Sequence, residues 1–387
     1  MKHHFISKRY WNSISTPMGK LSNLTYSYDD LIDLSLGDPD ITTDERIINA
    51  TFEDTKNGHT HYTDPYGDPE LREEICKYYS EEFNHKVKED EIIITAGACY
   101  AMWLVLEAIL DDGDEVIIHA PYFTPYPHQI KLVRGKPVIL NTYEEEDFQV
   151  DTRRLKNLIT NRTKAIIINT PNNPTGTCFT IETLKDIANI AIEHDLIVIA
   201  DDIYTLFSFE KPFLPIASLP GMKERTITIG SFSKDYAMTG WRLGYIIAPS
   251  FIINVLKDIN ENSLFTAPSI SQRAALHGLK MRNHIQSAIL EKYKKRIYYT
   301  YERINQLENI SVMHPRGSIY LFPNIKQTGL SSVEVADKIL KEAHILTLPG
   351  IAFGDCGEGY LRIAVTVGMD KLKEAFDRIN KMSIFSK

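Results

Sequence analysis

Lys234 stands where an apolar run ends, in TITIGSFSKDYAMTGWRLGYIIAP, residues 226–249. Ser231 and Ser233 precede it, and Arg242 follows eight residues later. A lysine amine can attack a carbonyl carbon. Serine hydroxyls and the planar guanidinium fork suit phosphate oxygens. The stretch therefore can hold an anion and present a nucleophile beside it. Other apolar runs also stop at residues with chemical uses. EIIIT is followed by Gly97, Ala98 and Cys99, DEVIIHA by the aromatic PYFTPYP with Phe123, and KAIIINT by PNNPTG with Asn173. LIVIA is followed by DDIY, which holds Asp201 and Tyr204. Taken singly, each has a plain structural reading. Pro, Asn and Gly make turns, an aspartate caps a helix, and a lysine is solvated. What they share is a position at the end of an apolar run.

The elements that must place them follow from periodicity. The runs are continuous rather than alternating, which is the pattern of strands buried on both faces. They alternate with segments of helical spacing such as CYAMWLVLEAIL and TIETLKDIANIAIEHD. The expected fold class is α/β: a three-layer, mostly parallel sheet flanked by helices. In such sheets ligands bind at the carboxyl ends of the strands, so the residues above are expected to converge. From Ser269 to Leu307 the pattern is helical and long. Beyond it, GSIYLFP, SVEVADKILKEA, YLRIAVTV and MDKLKEAFDRIN read strand, helix, strand, helix. That is the pattern of a smaller α+β domain. The expected division is a large domain over 45–275 and a small one made of 1–44 and 276–387.

Composition excludes several classes. The 387 residues carry a formal charge of −8, so no basic field points to nucleic acid or anionic lipid. No apolar run reaches the ~18–20 residues of a membrane span. The start, MKHHFISKRYWNSISTP, lacks the apolar core of a signal peptide. The four cysteines, Cys76, Cys99, Cys178 and Cys356, show no paired spacing. They read as free thiols of a cytoplasmic protein. HTH at His59–His61 has no companion ligands of suitable spacing, and no metal is expected. The dinucleotide, P-loop, nucleophile-elbow and zincin fingerprints are all absent.

The set SFSKDYAMTGWRLGY, PNNPTG, DDIY, HYTDPYGDPELR and YLRIAV resembles the class I and II aminotransferases that use pyridoxal phosphate, the aspartate aminotransferase superfamily of fold type I. The resemblance runs from LSLGDPD near residue 35 to YLRIAV near 365. It implies pyridoxal 5'-phosphate as cofactor and amino-group transfer from an L-amino acid to a 2-oxo acid such as 2-oxoglutarate, by a ping-pong sequence. It implies that Lys234 bonds to the cofactor aldehyde and later moves a proton at the substrate Cα. Ser231, Ser233, Arg242 and the backbone of Ala98 and Cys99 after Gly97 would hold the phosphate. Asp201 would face the pyridine nitrogen, Asn173 and Tyr204 the phenolic oxygen, and Phe123 the ring face. Arg362 and Gly37 would take the substrate α-carboxylate. Tyr62 would reach the phosphate of the neighbouring subunit in a homodimer.

Substrate choice is less legible. Aspartate-specific members of the resembling subgroup carry a lysine near the phosphate-binding turn, and Cys99 stands at that place here. AMTGWR resembles members acting on aromatic, neutral or N-acylated diamino acids. Tyr10, Trp11, Tyr26 and Tyr28 are candidates for the pocket wall, with packing of the N-terminal segment as their plainer role. Two other functions share the cofactor site: a carbon–sulfur lyase of the same fold, and a non-enzymatic regulator with an aminotransferase-like domain. The residues around DDIY and after Lys234 favour transfer over the lyase. The acidic chain and the short segment before LSLGDPD disfavour the regulator.

Overall fold

The computed structural model describes residues 3–11 and 28–386. The central sheet has strands β1 (Ile92–Thr95), β2 (Glu115–Ala120), β3 (Lys136–Asn141), β4 (Thr163–Asn169), β5 (Ile197–Asp201), β6 (Thr226–Ser231) and β7 (Gly244–Ile247). A smaller sheet holds β8 (Tyr320–Leu321), β9 (Leu348–Pro349) and β10 (Leu361–Ala364). The α-helices are α1 (Glu45–Lys56), α2 (Pro69–Phe83), α3 (Ala98–Ile109), α4 (Tyr126–Leu132), α5 (Thr152–Leu158) and α6 (Ile181–Glu193). They continue with α7 (Ser250–Glu261), α8 (Ser269–Lys280), α9 (Arg282–Ile304), α10 (Ser332–Ala343) and α11 (Met369–Ile379).

The central order is β1-β7-β6-β5-β4-β2-β3. All pairings are parallel except those of β7, which is antiparallel to both neighbours. The reason is the connection from β6 to β7. Residues 232–243 contain no α-helix, and a parallel return needs a longer crossover. Side chains alternate between two apolar layers along each strand, which explains the continuous runs. In β4, Ala165 and Ile167 pack with α3, α4 and α7, while Ile166 and Ile168 pack with α5 and α6. Each fully buried isoleucine contributes about 1.5–3 kcal/mol relative to exposure.

Local signals set the helix starts. Asp44 and Asp68 cap α1 and α2 by accepting from Arg46 N and Glu70 N, and Pro69 opens α2. Ser331 and Glu334 form a capping box on α10. The helical stretch read from 269 to 307 is two helices meeting at Met281 rather than one. The small sheet also has a strand, β9, that the strand–helix alternation did not show. Ile32–Asp33 pairs in parallel with Ile345–Leu346, so the N-terminal segment joins the C-terminal part. One apolar cluster runs from Ile32 through α8 to Phe385, across the boundary expected near 275.

Candidate active site

The register of the central sheet aligns the ends of its strands. Asn169 lies beside Asp201, Asp201 beside Ile229, and Gly244 between Ser231 and Thr95. The loops after β1, β2, β5 and β6 open from this edge onto a cavity of 420 Å³. Arg362 and Tyr320 of the small sheet close it from the other side.

Asp201 lines the floor and is buried. Tyr126 Oη donates to its Oδ2, while Oδ1 has no hydrogen-bond partner. Burial raises the Asp201 pKa to about 6, against the opposing pull of the bond from Tyr126. Asp202 does not line the cavity. It is also buried, and burial followed by the charge of Asp201 holds its carboxyl well above the usual range.

One end of the cavity suits a phosphate. Gly97 precedes α3 at φ 89°, and no side chain caps that helix. A Cβ at Gly97 would lie 2.9 Å from Arg242 Nη2, so only glycine lets the guanidinium approach the helix start. Arg242 is held by a 2.8 Å bond from Nη1 to Thr239 O. It sits at φ 55°, a left-handed conformation that costs a non-glycine residue about 1–2 kcal/mol. Ser231 Oγ accepts from Ser233 N at 3.1 Å, fixing the turn that leads to Lys234. Backbone amides at a helix start, hydroxyls and a guanidinium together form an anion site.

The opposite end suits a carboxylate. Arg362 is 1% exposed. Its Nη1 donates to Asn173 Oδ1 at 3.0 Å and its Nη2 to Ser35 O, both neutral acceptors. Its Nε has no partner, and it forms no ion pair among the described residues. The guanidinium lies 4.5 Å from the ring centre of Tyr320 and 5.0 Å from that of Phe353. Burial pulls its pKa down. The charge of Asp33 supports it without forming an ion pair; a buried cation with no carboxylate against it is costly, and an anion arriving in the cavity would relieve that cost. Lys234, half-buried between the two ends, donates from Nζ to Gly37 O.

The structure thus brings together Gly37, Ala98, Cys99, Phe123, Asp201, Tyr204, Ser231, Ser233, Lys234, Arg242 and Arg362 around one cavity. Gly97 and Asn173 stand just behind it, against Arg242 and Arg362. Tyr62 is elsewhere in the chain fold: it is 81% exposed and packs edge-on against Phe265, 4.8 Å between ring centres. Trp11 and Tyr28 do not line the cavity. Trp11 Nε1 bonds to His3 O and Ile6 O, and Tyr28 stacks on His344. Tyr26 lies outside the described residues. Sequence reasoning missed Tyr126, Tyr320 and Gln129. Gln129 Nε2 bonds Cys99 O at 2.8 Å and Cys99 Sγ at 3.4 Å, so Cys99 is held against α4. Tyr126 opens α4, and Phe123 in the turn before it packs edge to face on its ring, 5.5 Å between centres.

Residues 29–379 match the family model for aminotransferase class I and II. The chain belongs to this family. It is 40% identical over 367 residues to the aspartate aminotransferase of Pyrococcus abyssi, covering 94% of each chain. It is 38% identical over 370 residues to aromatic-amino-acid aminotransferase 2 of Thermococcus litoralis, again over 94% of each. Its fold superposes on the crystal structure of the aromatic aminotransferase from Pyrococcus horikoshii with a TM-score of 0.88, at 38% identity, covering 93% of this chain and 97% of that one. The protein is a transferase of fold type I that uses pyridoxal 5'-phosphate to move amino groups between amino acids and 2-oxo acids. The relatives are named for amino transfer, which disfavours the lyase. Its cavity fits that cofactor. The uncapped helix start with Arg242 could take a phosphate, the Oδ1 of Asp201 could accept from a ring N–H, and Phe123 lines the same cavity. No helix among the described residues is long and apolar enough to cross a membrane.

Proposed function

We propose that this aminotransferase acts on amino acids with neutral or aromatic side chains, in a homodimer whose two sites each draw Tyr62 from the partner. The observation that carries the assignment of its substrate site is Arg362, a buried cation with no ion-paired carboxylate, in the cavity that also holds Lys234 and Asp201. Pyridoxal phosphate supplies an aldehyde that condenses with amines and a protonated ring that draws electrons from the substrate Cα. The chain does the rest. Arg242, Ser231, Ser233 and the amides after Gly97 hold the phosphate. Asp201 keeps a proton on the ring nitrogen, because a carboxylate against a cation favours both charges. Phe123 would pack on the ring, and Asn173 and Tyr204 would hold its phenolic oxygen. Arg362 and the backbone of Gly37 fix the α-carboxylate, which aims the Cα hydrogen at Lys234. The Lys234 amine is placed to take that proton and would carry it between the substrate Cα and the cofactor. Alternating amino-acid and 2-oxo-acid half-reactions give ping-pong kinetics.

The donor class rests on the remaining wall. Among the described residues the cations lining the cavity are Lys234, Arg242 and Arg362, and all three have the duties above. Leu36, Met102 and Ile203 give the rest of the wall an apolar part, beside Asp38, Gln129, Thr239 and Gly240, with Cys99 where the resembling aspartate-specific enzymes place a lysine. A distal carboxylate there meets no cation free of another duty and faces Asp38, whereas an apolar side chain gains about 25 cal/mol per Å² removed from water. We expect kcat/KM for phenylalanine, tyrosine or leucine to exceed that for aspartate by at least about tenfold. A donor panel against 2-oxoglutarate, followed by an acceptor panel, measures this. Aspartate as the best donor would refute the class.

The dimer rests on Tyr62. An aromatic phenol so exposed, beside the half-exposed Phe265, has the look of an interface residue. A phosphate contact supplied in trans makes cofactor retention depend on association. Tyr62→Phe should lose cofactor on gel filtration about tenfold more readily, the weight of one charge-assisted hydrogen bond. Mixing Tyr62→Phe with Lys234→Ala subunits then separates the geometries. In a hybrid dimer one site collects both changes and the other neither, so half the hybrid sites regain tight, borohydride-trappable cofactor. Hybrids with no such sites, or a fully active monomer, would exclude sharing.

A further inference from the structure

We propose that Tyr320 is a positioning residue that couples recognition of the α-carboxylate to the hydroxyl of Tyr204; this rests on the roles given above to Arg362 and Tyr204. Tyr320 lies on β8, and β8 pairs with β10, which carries Arg362. The Tyr320 side chain is buried and makes three contacts at once. Its ring lies under the Arg362 guanidinium, 4.5 Å from Cζ to the ring centre. A desolvated cation on an aromatic face is strongly held, and the other partners of Arg362 are neutral oxygens. Its hydroxyl fills the space beside Gly37: a Cβ built there would overlap Tyr320 Oη. Gly37 in turn accepts from Lys234 through its carbonyl. Third, Tyr204 Oη donates to Tyr320 Oη at 3.1 Å, with the two rings edge to face at 82°.

Tyr320 is anchored through its main chain. Its backbone is pinned against the loop carrying Asn173, where a Cβ at Gly176 would lie 2.8 Å from Tyr320 O. Arg362 and Gly37, the two groups assigned to the carboxylate, both rest on one side chain, and that side chain holds the proton of Tyr204. A phenol has a single proton. When Tyr204 gives it to Tyr320, it does not give it to the phenolic oxygen of the cofactor. A carboxylate that shifts Arg362 and Gly37 shifts Tyr320, and with it the direction of the Tyr204 hydroxyl. Packing alone does not require the Tyr320 oxygen, since phenylalanine would fill the same ring space.

The test is a double-mutant cycle read by the pH titration of the visible absorbance of the bound cofactor in the holoenzyme. Tyr320→Phe keeps the ring under Arg362 and frees the Tyr204 proton for the phenolic oxygen. The titration midpoint should fall by roughly 0.5 or more on the pH axis, with KM for the donor changed less than about threefold. Tyr204→Phe should move the midpoint the opposite way. In the Tyr204→Phe background, adding Tyr320→Phe should move it no further, because the group it acts through is gone. Tyr320→Leu, which also removes the ring, should raise KM about tenfold for every carboxylate donor alike. An unmoved midpoint in Tyr320→Phe, or an equal shift in both backgrounds, overturns the coupling while leaving the site intact. A midpoint unmoved by Tyr204→Phe itself instead removes the role of Tyr204, and the proposal falls with it. The two failures are told apart by the Tyr204→Phe single variant.

Discussion

Lys234→Ala is expected to end turnover, by about 10⁴-fold or more, while the apoprotein melts within a few degrees of wild type. The two halves have different physical sources. The side chain is half-buried and its recorded bond is the one to Gly37 O. Losing one such bond costs about 1 kcal/mol, and alanine leaves no buried partner stranded other than a carbonyl that faces the cavity. Activity depends on the amine twice, as nucleophile and as the base at Cα. Loss of a positioned base alone removes 10²–10⁴-fold, and loss of the covalent step compounds it. The cofactor should still bind, because Arg242, the serines and the α3 amides are untouched, but borohydride should no longer fix it to the chain. The measurements are single-turnover kinetics, mass spectrometry after borohydride, and a thermal melt of the apoprotein. A variant that keeps borohydride-stable label, or more than about 1% of wild-type turnover, would assign the nucleophile elsewhere.

How much of this was in the sequence depends on the range of the signal. Ser231, Ser233 and Lys234 are neighbours after one strand, and Asp201 ends another, so a strand-by-strand reading could find them. Their convergence needed only the rule that parallel strands share an edge, and the register of Asn169, Asp201 and Ile229 shows that edge. Arg362 is different. It comes from a strand in the other sheet, with no local pattern to mark it, and only the resemblance of YLRIAV pointed to it. The reversal of β7 was hidden because RLGYIIAP is apolar in the same way as a parallel strand. The short, helix-free link before it was the available clue. Tyr126 and Tyr320 were passed over because an aromatic in an apolar run reads as core. Both are indeed buried; what distinguishes them is a hydroxyl aimed at Asp201 or Tyr204, and direction is a tertiary fact. The break at Met281 left no trace because neither glycine nor proline makes it.

Asp201→Asn is expected to separate the two consequences of burying a carboxylate at the ring nitrogen. In the apoprotein, burial raises the Asp201 pKa from 3.8 to about 6. A group whose folded pKa lies above its unfolded value gives its full stability below the unfolded pKa and loses it as pH rises through the folded one. Protonated Asp201 is therefore comfortable near pH 4, and ionised Asp201 is a burden above pH 6. That rise corresponds to about 3 kcal/mol. Asparagine stays neutral and still offers Tyr126 an acceptor. Apo Asp201→Asn should then be more stable than apo wild type at pH 8, with the difference shrinking through pH 6 and gone near pH 4. Asp202, also disfavoured as an anion by burial and by its neighbour, should ease in the same direction. The holoenzyme should show the reverse. Without a carboxylate against it, the ring nitrogen loses its proton and the pull on the substrate Cα weakens, so turnover should fall by at least about 10²–10³, the scale of one missing preorganised electrostatic partner. Asp202→Asn controls the register, because neighbours in an extended strand face opposite ways. Its turnover should stay within a few-fold of wild type. Denaturant melts of both apoproteins from pH 4 to 8 and turnover of both holoenzymes decide the matter. An apo Asp201→Asn that is less stable than wild type at pH 8, or an Asp202→Asn that is the crippled enzyme, would mean the carboxylate facing the ring has been misassigned.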